Sequence, residues 1–211
     1  MKLKNISKSM LLMVTCFSLS FSSMAQPGEV RLLDRINPER PTSDLWKGVT
    51  NSVYPVTVLT PVSLLATGYI SKDKQLQKEG WKATGSVVAN VILTQGLKKI
   101  IARQRPYNEY PALINYYHFE RDSAFPSGHT SNAFAAATSL SLTFKKWYVV
   151  VPAYLWAASA GYSRLYLGQH YPTDVLAGAA VGIGSAFLSR WLTEKILYKE
   201  KNKKQRPLTA E

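Results

Sequence analysis

Two histidines in the second half of the chain have neighbours that suit catalysis. His170 is followed four residues later by Asp174, within the run Ser-Arg-Leu-Tyr-Leu-Gly-Gln-His-Tyr-Pro-Thr-Asp. At this spacing the carboxylate can accept a hydrogen bond from one imidazole nitrogen, which fixes the tautomer and leaves the other nitrogen basic. His129 follows Pro126, Ser127 and Gly128 at the predicted start of a helix. The pattern indicates nucleophilic or acid–base chemistry by histidine.

Basic residues accompany these histidines. Lys98 precedes Arg105-Pro106, and a separation of seven predicts that Lys98 and Arg105 share one face of a helix that Pro106 ends. Arg164 stands shortly before His170. Taken singly, each cluster also fits an ordinary role: surface bases at a helix end, a serine N-cap beside an incidental histidine, or an acid near a helix N-terminus.

Together, the clusters predict phosphoryl transfer. Cationic side chains, and the free N–H groups where Ser127-Gly128 begins a helix, would bind phosphate oxygens and stabilise transition-state charge. One histidine would attack phosphorus while the other protonates the leaving oxygen. Because side chains supply the positive charge, the prediction includes no metal and no cofactor. The sequence has neither a Cys/His metal pattern nor a Walker-type glycine loop.

The three clusters resemble the signature of the type 2 phosphatidic acid phosphatase superfamily. Its elements Lys-x6-Arg-Pro, Pro-Ser-Gly-His and Ser-Arg-x5-His-x3-Asp occur here in order and with full spacing. The resemblance implies that His170 is the nucleophile and forms a phosphohistidine, that Asp174 orients it, and that His129 is the general acid. It also implies a set of groups that bind the phosphate: Lys98, Arg105, Arg164, Ser127 and the backbone of Gly128. Members of the family need no metal, and vanadate mimics their transition state.

The elements that must position these clusters are apolar stretches rich in small residues. They cover residues 49–70, 83–101, 131–144, 147–163 and 174–193. Because strand-like alternation is weak, we predict an all-α fold, a helical bundle of about five transmembrane helices. If each stretch crosses once, all three clusters lie on the same side. The mean hydropathy of -0.11 is low for a membrane protein, so a soluble helical domain is the alternative.

The start of the chain predicts export. Residues 1–25 have a basic beginning, an apolar middle and small residues before position 26, which is typical of a signal peptide. An uncleaved signal anchor is the alternative. Residues 26–48 are polar and are predicted to form a periplasmic or interfacial segment, followed by a phosphatase domain over residues 49–193.

Charge predicts the orientation. With residue 26 outside, the lysine-rich segment 71–82 and the basic tail 194–211 are cytoplasmic, whereas the outer segments 26–48 and 102–125 carry balanced charge. The protein is therefore predicted in the inner (cytoplasmic) membrane with its site facing the periplasm.

The net charge of +13 predicts anionic partners. We assign these to a lipid-phosphate substrate and the bilayer, and we predict no nucleic acid, since no nucleic-acid module is present, and no protein partner. Lipid A phosphate or undecaprenyl diphosphate is favoured, and phosphatidate and phosphatidylglycerol phosphate are further candidates. The alternatives are a soluble periplasmic acid phosphatase, a vanadium haloperoxidase, and a basic binding protein without activity. His118 matches no motif and is interpreted as a surface or packing residue, in a loop (107–124) predicted to select substrate.

Overall fold

The structure is a computed structural model, and it describes residues 26–195. Within that range the chain is helical and contains no strand. The helices are α1 (Gln26–Ile36), α2 (Asp44–Ile70), α3 (Lys74–Ile101), α4 (Pro106–Glu109), α5 (Gly128–Phe144), α6 (Trp147–Tyr166) and α7 (Pro172–Thr193). The all-α prediction is confirmed for these residues. The predicted signal sequence and the tail from residue 196 onward lie outside the described residues.

Helix α3 begins well before the apolar stretch that predicted it. Asp73 caps this helix by accepting hydrogen bonds from the backbone N–H groups of Gln75 and Leu76, at 2.8 and 3.1 Å. In the polar first half of the helix, the Lys82 ammonium pairs with Glu79 at 3.0 Å and with Glu194 at 2.8 Å. The segment that we expected to connect two stretches is therefore mostly helical.

Helix α5 lies at the centre of the bundle and packs against α2, α3, α6 and α7. Two glycines of α7 allow its close approach to α5. A Cβ at Gly178 would lie 2.6 Å from the Ser127 carbonyl oxygen, and one at Gly182 would overlap the Ser131 carbonyl oxygen. The backbone N–H of Ser127 donates to the carbonyl of Asp174 at 3.0 Å. The beginnings of α5 and α7 are thus joined, which brings two of the sequence clusters together.

The outer surface of the bundle is apolar, whereas much of its interior is polar. Val58, Ile92, Leu155 and Leu176, one from each of four long helices, are more than half exposed. The buried residues include many that are small and polar, among them Thr57, Ser86, Asn90, Thr138 and Ser185. This reversal of the usual pattern suits helices that face lipid. Of the described helices, α2 and α7 are long and apolar enough to cross a membrane. The figure of five crossings stays a prediction.

Candidate active site

A cavity of about 730 Å³ lies at the end of the bundle where α3 ends and α5 and α7 begin. Five of the residues predicted for the site line this cavity: Lys98, Arg105, Gly128, His129 and His170. The other three, Ser127, Arg164 and Asp174, are fully buried next to residues of that lining. The structure therefore brings the three sequence clusters to one place.

Lys98 and Arg105 reach the cavity from different elements. Helix α3 ends at Ile101, because Ala102 adopts a left-handed conformation with a φ of 47°. Arg105 is extended, as expected for a residue before proline, and precedes α4. The expectation that Lys98 and Arg105 share a helical face is wrong. Their side chains still meet at Asp122, whose Oδ2 lies 3.0 Å from the Lys98 ammonium and whose Oδ1 lies 2.5 Å from Arg105 Nη2.

One arginine, Arg105, lines the cavity, a second, Arg164, is buried behind the lining, and hydrogen bonds hold both in place. Arg105 donates from Nε to the Asp122 carbonyl at 3.0 Å and from Nη1 to the Gln169 carbonyl at 2.9 Å. Arg164 donates from Nη1 to the Thr50 hydroxyl at 3.0 Å. Its Nε makes no hydrogen bond within the described chain. Fixed, desolvated guanidinium groups of this kind suit the binding of an oxyanion.

Two acids of the loop before α5 neutralise these cations. Glu120 places Oε1 2.5 Å from Arg164 Nη2, and its other oxygen pairs with Arg105. Asp122 joins Lys98 and Arg105, as described above. Burial would raise the pKa of the Asp122 carboxyl, but Lys98 and Arg105 outweigh that effect and lower it below its usual value. Sequence reasoning did not single out either acid, because they lie in a loop of balanced charge and outside the motifs.

His170 is positioned as a neutral base or nucleophile. Its Nε2 lies 3.4 Å from Arg105 Nη1, at the cavity. Its Nδ1 lies 3.6 Å from Asp174 Oδ2, just beyond hydrogen-bond length, and has no other partner among the described residues. Burial and the charges of Arg105 and Arg164 hold the pKa of His170 well below its usual value. The imidazole therefore keeps a free electron pair at neutral pH.

The beginning of α5 carries the second histidine. The Ser127 hydroxyl oxygen caps this helix, accepting from the Thr130 hydroxyl at 2.9 Å and from the Thr130 N–H at 3.4 Å. Gly128 leaves room at the cavity, since a Cβ there would come no closer than 3.9 Å to Thr94. The His129 ring packs edge-on to Tyr54 with centroids 4.7 Å apart. Phosphate binding by Ser127 stays a prediction, because its hydroxyl serves as the N-cap.

Two residues that were not predicted for the site lie close to it. His118, interpreted as a surface or packing residue, lines the cavity, with Nε2 3.2 Å from Glu120 Oε1. Arg103, which sequence reasoning did not single out, donates from Nη1 to Asp174 Oδ1 at 2.8 Å. Within residues 26–195, no three His, Cys, Asp or Glu side chains cluster as metal ligands would.

Comparison with known families agrees with this geometry. Residues 79–198, more than half of the chain, match the PAP2 superfamily. The chain belongs to the PAP2 superfamily. The matched range contains all three sequence clusters, so the resemblance drawn from the motifs is confirmed.

Several curated relatives are named as phosphatases that act on lipids. A "Lipid A 4'-phosphatase" of Bacteroides thetaiotaomicron is 36% identical over 105 residues, which is 47% of each chain. An "Undecaprenyl-diphosphatase" of Sulfolobus acidocaldarius is 33% identical over 116 residues, 55% of this chain and 56% of the relative. The chain thus matches about half the length of these PAP2 relatives.

Solved structures share the fold over most of the PAP2 chain. The crystal structure of Aquifex aeolicus LpxE has a TM-score of 0.60 at 28% identity, covering 77% of this chain and 94% of that one. A transmembrane PAP2-type phosphatidylglycerolphosphate phosphatase from Bacillus subtilis has a TM-score of 0.64 at 23% identity, covering 89% and 96%. The second likeness concerns the fold alone.

Proposed function

We propose that this protein hydrolyses a phosphate ester on a membrane lipid through a phosphohistidine on His170, without a metal ion. The observation that carries the proposal is that Lys98 and Arg105 line one cavity beside the Nε2 atom of His170. Arg164 lies behind this lining and is joined to it by Glu120. Glu120 bridges the two guanidinium groups, as a pair of phosphate oxygens would. A site of this kind attracts an oxyanion and stabilises the charge of a transferring phosphoryl group.

The proposed reaction has two steps. In the first, His170 Nε2 attacks phosphorus, the bond from phosphorus to the ester oxygen breaks, and His129 in its protonated form gives a proton to the leaving oxygen. Burial and the charge of Arg164 lower the pKa of His129 to about 2, so the negative charge of the bound phosphate must raise this pKa before the step. In the second, water attacks the phosphohistidine and releases inorganic phosphate, with His129 accepting the proton of the water. Asp174 stabilises the positive charge on the His170 ring, for which the 3.6 Å gap must close slightly. Such contacts are often long before substrate binds.

The lipid part of the proposal rests on the outer surface and on the relatives. Apolar side chains cover the outside of the helices that form the cavity. The relatives are named for lipid A and for undecaprenyl diphosphate. We therefore favour one of these two substrates, with phosphatidate and phosphatidylglycerol phosphate as further candidates.

We also propose that the site faces the periplasm from the inner membrane. The turn after α2 carries Lys72 and is followed by Lys74 at the start of α3, and the turn after α5 carries Lys145 and Lys146. The directions of the helices put both turns at the end opposite to the site. Lysine-rich ends are typical of the cytoplasmic side. Single cysteines at position 39 or 145, in a Cys16→Ser background, would be treated with an impermeant maleimide in cells with a permeabilised outer membrane. Labelling of the cysteine at position 39 alone would support this orientation. Labelling of the cysteine at position 145 alone would show the opposite orientation.

The enzymatic proposal is tested by phosphate release in detergent with EDTA present. The panel contains lipid A, undecaprenyl diphosphate, phosphatidate and phosphatidylglycerol phosphate, with a water-soluble phosphomonoester for comparison. We expect release from one or more of the lipids by the wild type and none by His170→Ala. Equal turnover of the soluble ester would favour a general acid phosphatase. Activity that survives in His170→Ala would refute the histidine mechanism.

A further inference from the structure

Arg103, at one of the unspecified positions of the Lys-x6-Arg-Pro element, fixes the carboxylate that faces His170. Its Nη1 donates to Asp174 Oδ1 at 2.8 Å and to the Thr173 hydroxyl at 2.7 Å. The second oxygen of Asp174, Oδ2, accepts from the backbone N–H of Tyr171 at 2.9 Å. Both oxygens are therefore held, one of them by Arg103. The direction in which Asp174 presents Oδ2 to His170 follows from these two bonds.

Helix α1 in turn holds Arg103. Glu29 Oε2 lies 3.0 Å from Arg103 Nη2, and Oε1 accepts from the backbone N–H of Thr173 at 3.0 Å. The Glu29 side chain is nearly fully buried, and Arg103 also lies over the Tyr171 ring, 4.0 Å from its centroid. Glu29 thus ties α1 both to Arg103 and to the first turn of α7. It lies before residue 79, where the match to the superfamily begins.

These contacts form one continuous chain from α1 to the nucleophile. It runs from Glu29 through Arg103 and Asp174 to His170, and all four side chains are buried except Arg103, which is 18% exposed. Removing one partner of such a buried set leaves the others without compensation, so each member constrains the next. Among these contacts, the one between Asp174 Oδ2 and His170 Nδ1 is longer than a hydrogen bond, at 3.6 Å. A small displacement of Asp174 therefore acts directly on the nucleophile.

We propose that Arg103 is a positioning residue that aims Asp174 at His170, and that Glu29 of α1 supports it. The inference rests on the proposed function, in which His170 is the nucleophile. Arg103 acts through Asp174 and does not touch the phosphate, whose oxygens Lys98, Arg105 and Arg164 are proposed to bind. It follows that Arg103 affects the rate of the chemical step rather than the binding of phosphate. Helix α1 is, on this view, part of the catalytic unit.

The test compares Arg103→Ala, Arg103→Lys and Glu29→Gln in the full-length protein, each alone and combined with Asp174→Asn. We expect Arg103→Ala to lower kcat by tenfold or more, on the order usual for residues that orient a catalytic group. The KM and the inhibition constant of inorganic phosphate, which report binding rather than the chemical step, should change by less than about threefold. Arg103→Lys should recover part of kcat, because lysine keeps the positive charge but lacks the two Nη groups that contact Asp174 and Glu29 at the same time. Glu29→Gln should cost less than Arg103→Ala.

The double variant separates positioning from a merely structural role. If Arg103 acts through Asp174, adding Arg103→Ala to Asp174→Asn should lower kcat little further, so the two losses are not additive. Additive losses, or an affinity for inorganic phosphate that falls as much as kcat, would overturn the inference. Arg31→Ala and Asp34→Asn, two exposed positions on α1, serve as controls and should keep wild-type kcat.

Two control measurements distinguish a failure of this inference from a failure of the proposed function or of folding. The thermal unfolding midpoint is measured for each variant, and if Arg103→Ala does not fold, Arg103→Lys and Glu29→Gln decide the question by the same criteria. His170→Ala is assayed alongside. Full activity of His170→Ala would refute the proposed function itself, whereas an inactive His170→Ala with unimpaired Arg103→Ala would refute only the role of Arg103.

Discussion

The Oε1 atom of Glu120 lies 2.5 Å from Nη2 of Arg164, and the other oxygen of the same carboxylate pairs with Arg105. One carboxylate thus spans the two guanidinium groups that the family signature assigns to phosphate. Carboxylates and phosphates present similar pairs of oxygens to arginine. Glu120 therefore occupies the position where we expect two phosphate oxygens, and a bound phosphate must displace it.

Replacing Glu120 should tighten the binding of phosphate analogues. In Glu120→Gln the competing negative charge is gone, so the inhibition constants of vanadate and inorganic phosphate should fall about fivefold, which corresponds to roughly 1 kcal/mol. Glu39→Gln, an exposed position before α2, is the matched control and should change neither constant. Unchanged or weaker inhibition in Glu120→Gln would mean that Glu120 organises the arginines for phosphate instead of competing with it.

Two adjacent lysines at the end of α3 should differ sharply in their effect on activity. The Lys98 side chain is buried at the cavity and pairs with Asp122, whereas Lys99 is exposed. Lys98→Ala should lower kcat/KM by about 100-fold, the usual scale for removing one group that stabilises transition-state charge. Lys99→Ala should stay within about twofold of the wild type. Equal effects of the two substitutions on lipid-phosphate hydrolysis would argue that only general basicity matters here.

The nucleophile should remain neutral in acid. Burial and the charges of Arg105, Arg164, Lys98 and His129 hold the pKa of His170 well below its ordinary value of about 6.5. A lowered pKa means that protonation sets in only at a pH well below 6.5, so the nucleophilic form persists through mildly acidic conditions. NMR titration of labelled histidine in detergent, assigned with His118→Asn and His129→Asn, measures this value. A midpoint near 6.5 for His170 would contradict the buried, cationic environment described above.

The sequence predicted which residues form the site better than it predicted the local backbone that positions them. Phosphoryl transfer requires cations and histidines, and residues such as Lys98, His129 and His170 carry that requirement in their type and spacing. The structure brings them to one cavity as predicted. The shared helical face of Lys98 and Arg105 was predicted wrongly, because the left-handed turn at Ala102 has no strong signal in an alanine.

The residues that were missed make contacts between distant parts of the chain. Glu29 and Arg103 are 74 positions apart, and Arg103 and Asp174 are 71 apart, so no local period or motif marks them. The role of Glu120 likewise depends on how the loop before α5 folds back over the arginines. Such contacts follow from tertiary packing, which a single sequence does not reveal by spacing alone.

The joint between α5 and α7 should be sensitive to a single methyl group. A Cβ at Gly182 would overlap the carbonyl oxygen of Ser131 on α5, whereas a Cβ at Gly184, on the same helix, would meet nothing within 4 Å. Gly182→Ala should therefore destabilise the fold by roughly 1–3 kcal/mol and lower the thermal midpoint by several degrees. Gly184→Ala should leave the midpoint unchanged or raise it, because alanine is about 1 kcal/mol more favourable than glycine within a helix.

Gly182→Ala and Gly184→Ala should also differ in catalytic activity. Forcing α7 away from α5 shifts Asp174 and His170 relative to His129, and catalysis depends on that geometry to within a fraction of an ångström. We expect Gly182→Ala to lose tenfold or more in kcat at a temperature where it is still folded, and Gly184→Ala to keep wild-type kcat. Circular dichroism at the assay temperature establishes that the variant is folded. Full activity in a folded Gly182→Ala would mean that the two helices adjust without moving the histidines, and that their close contact serves stability alone.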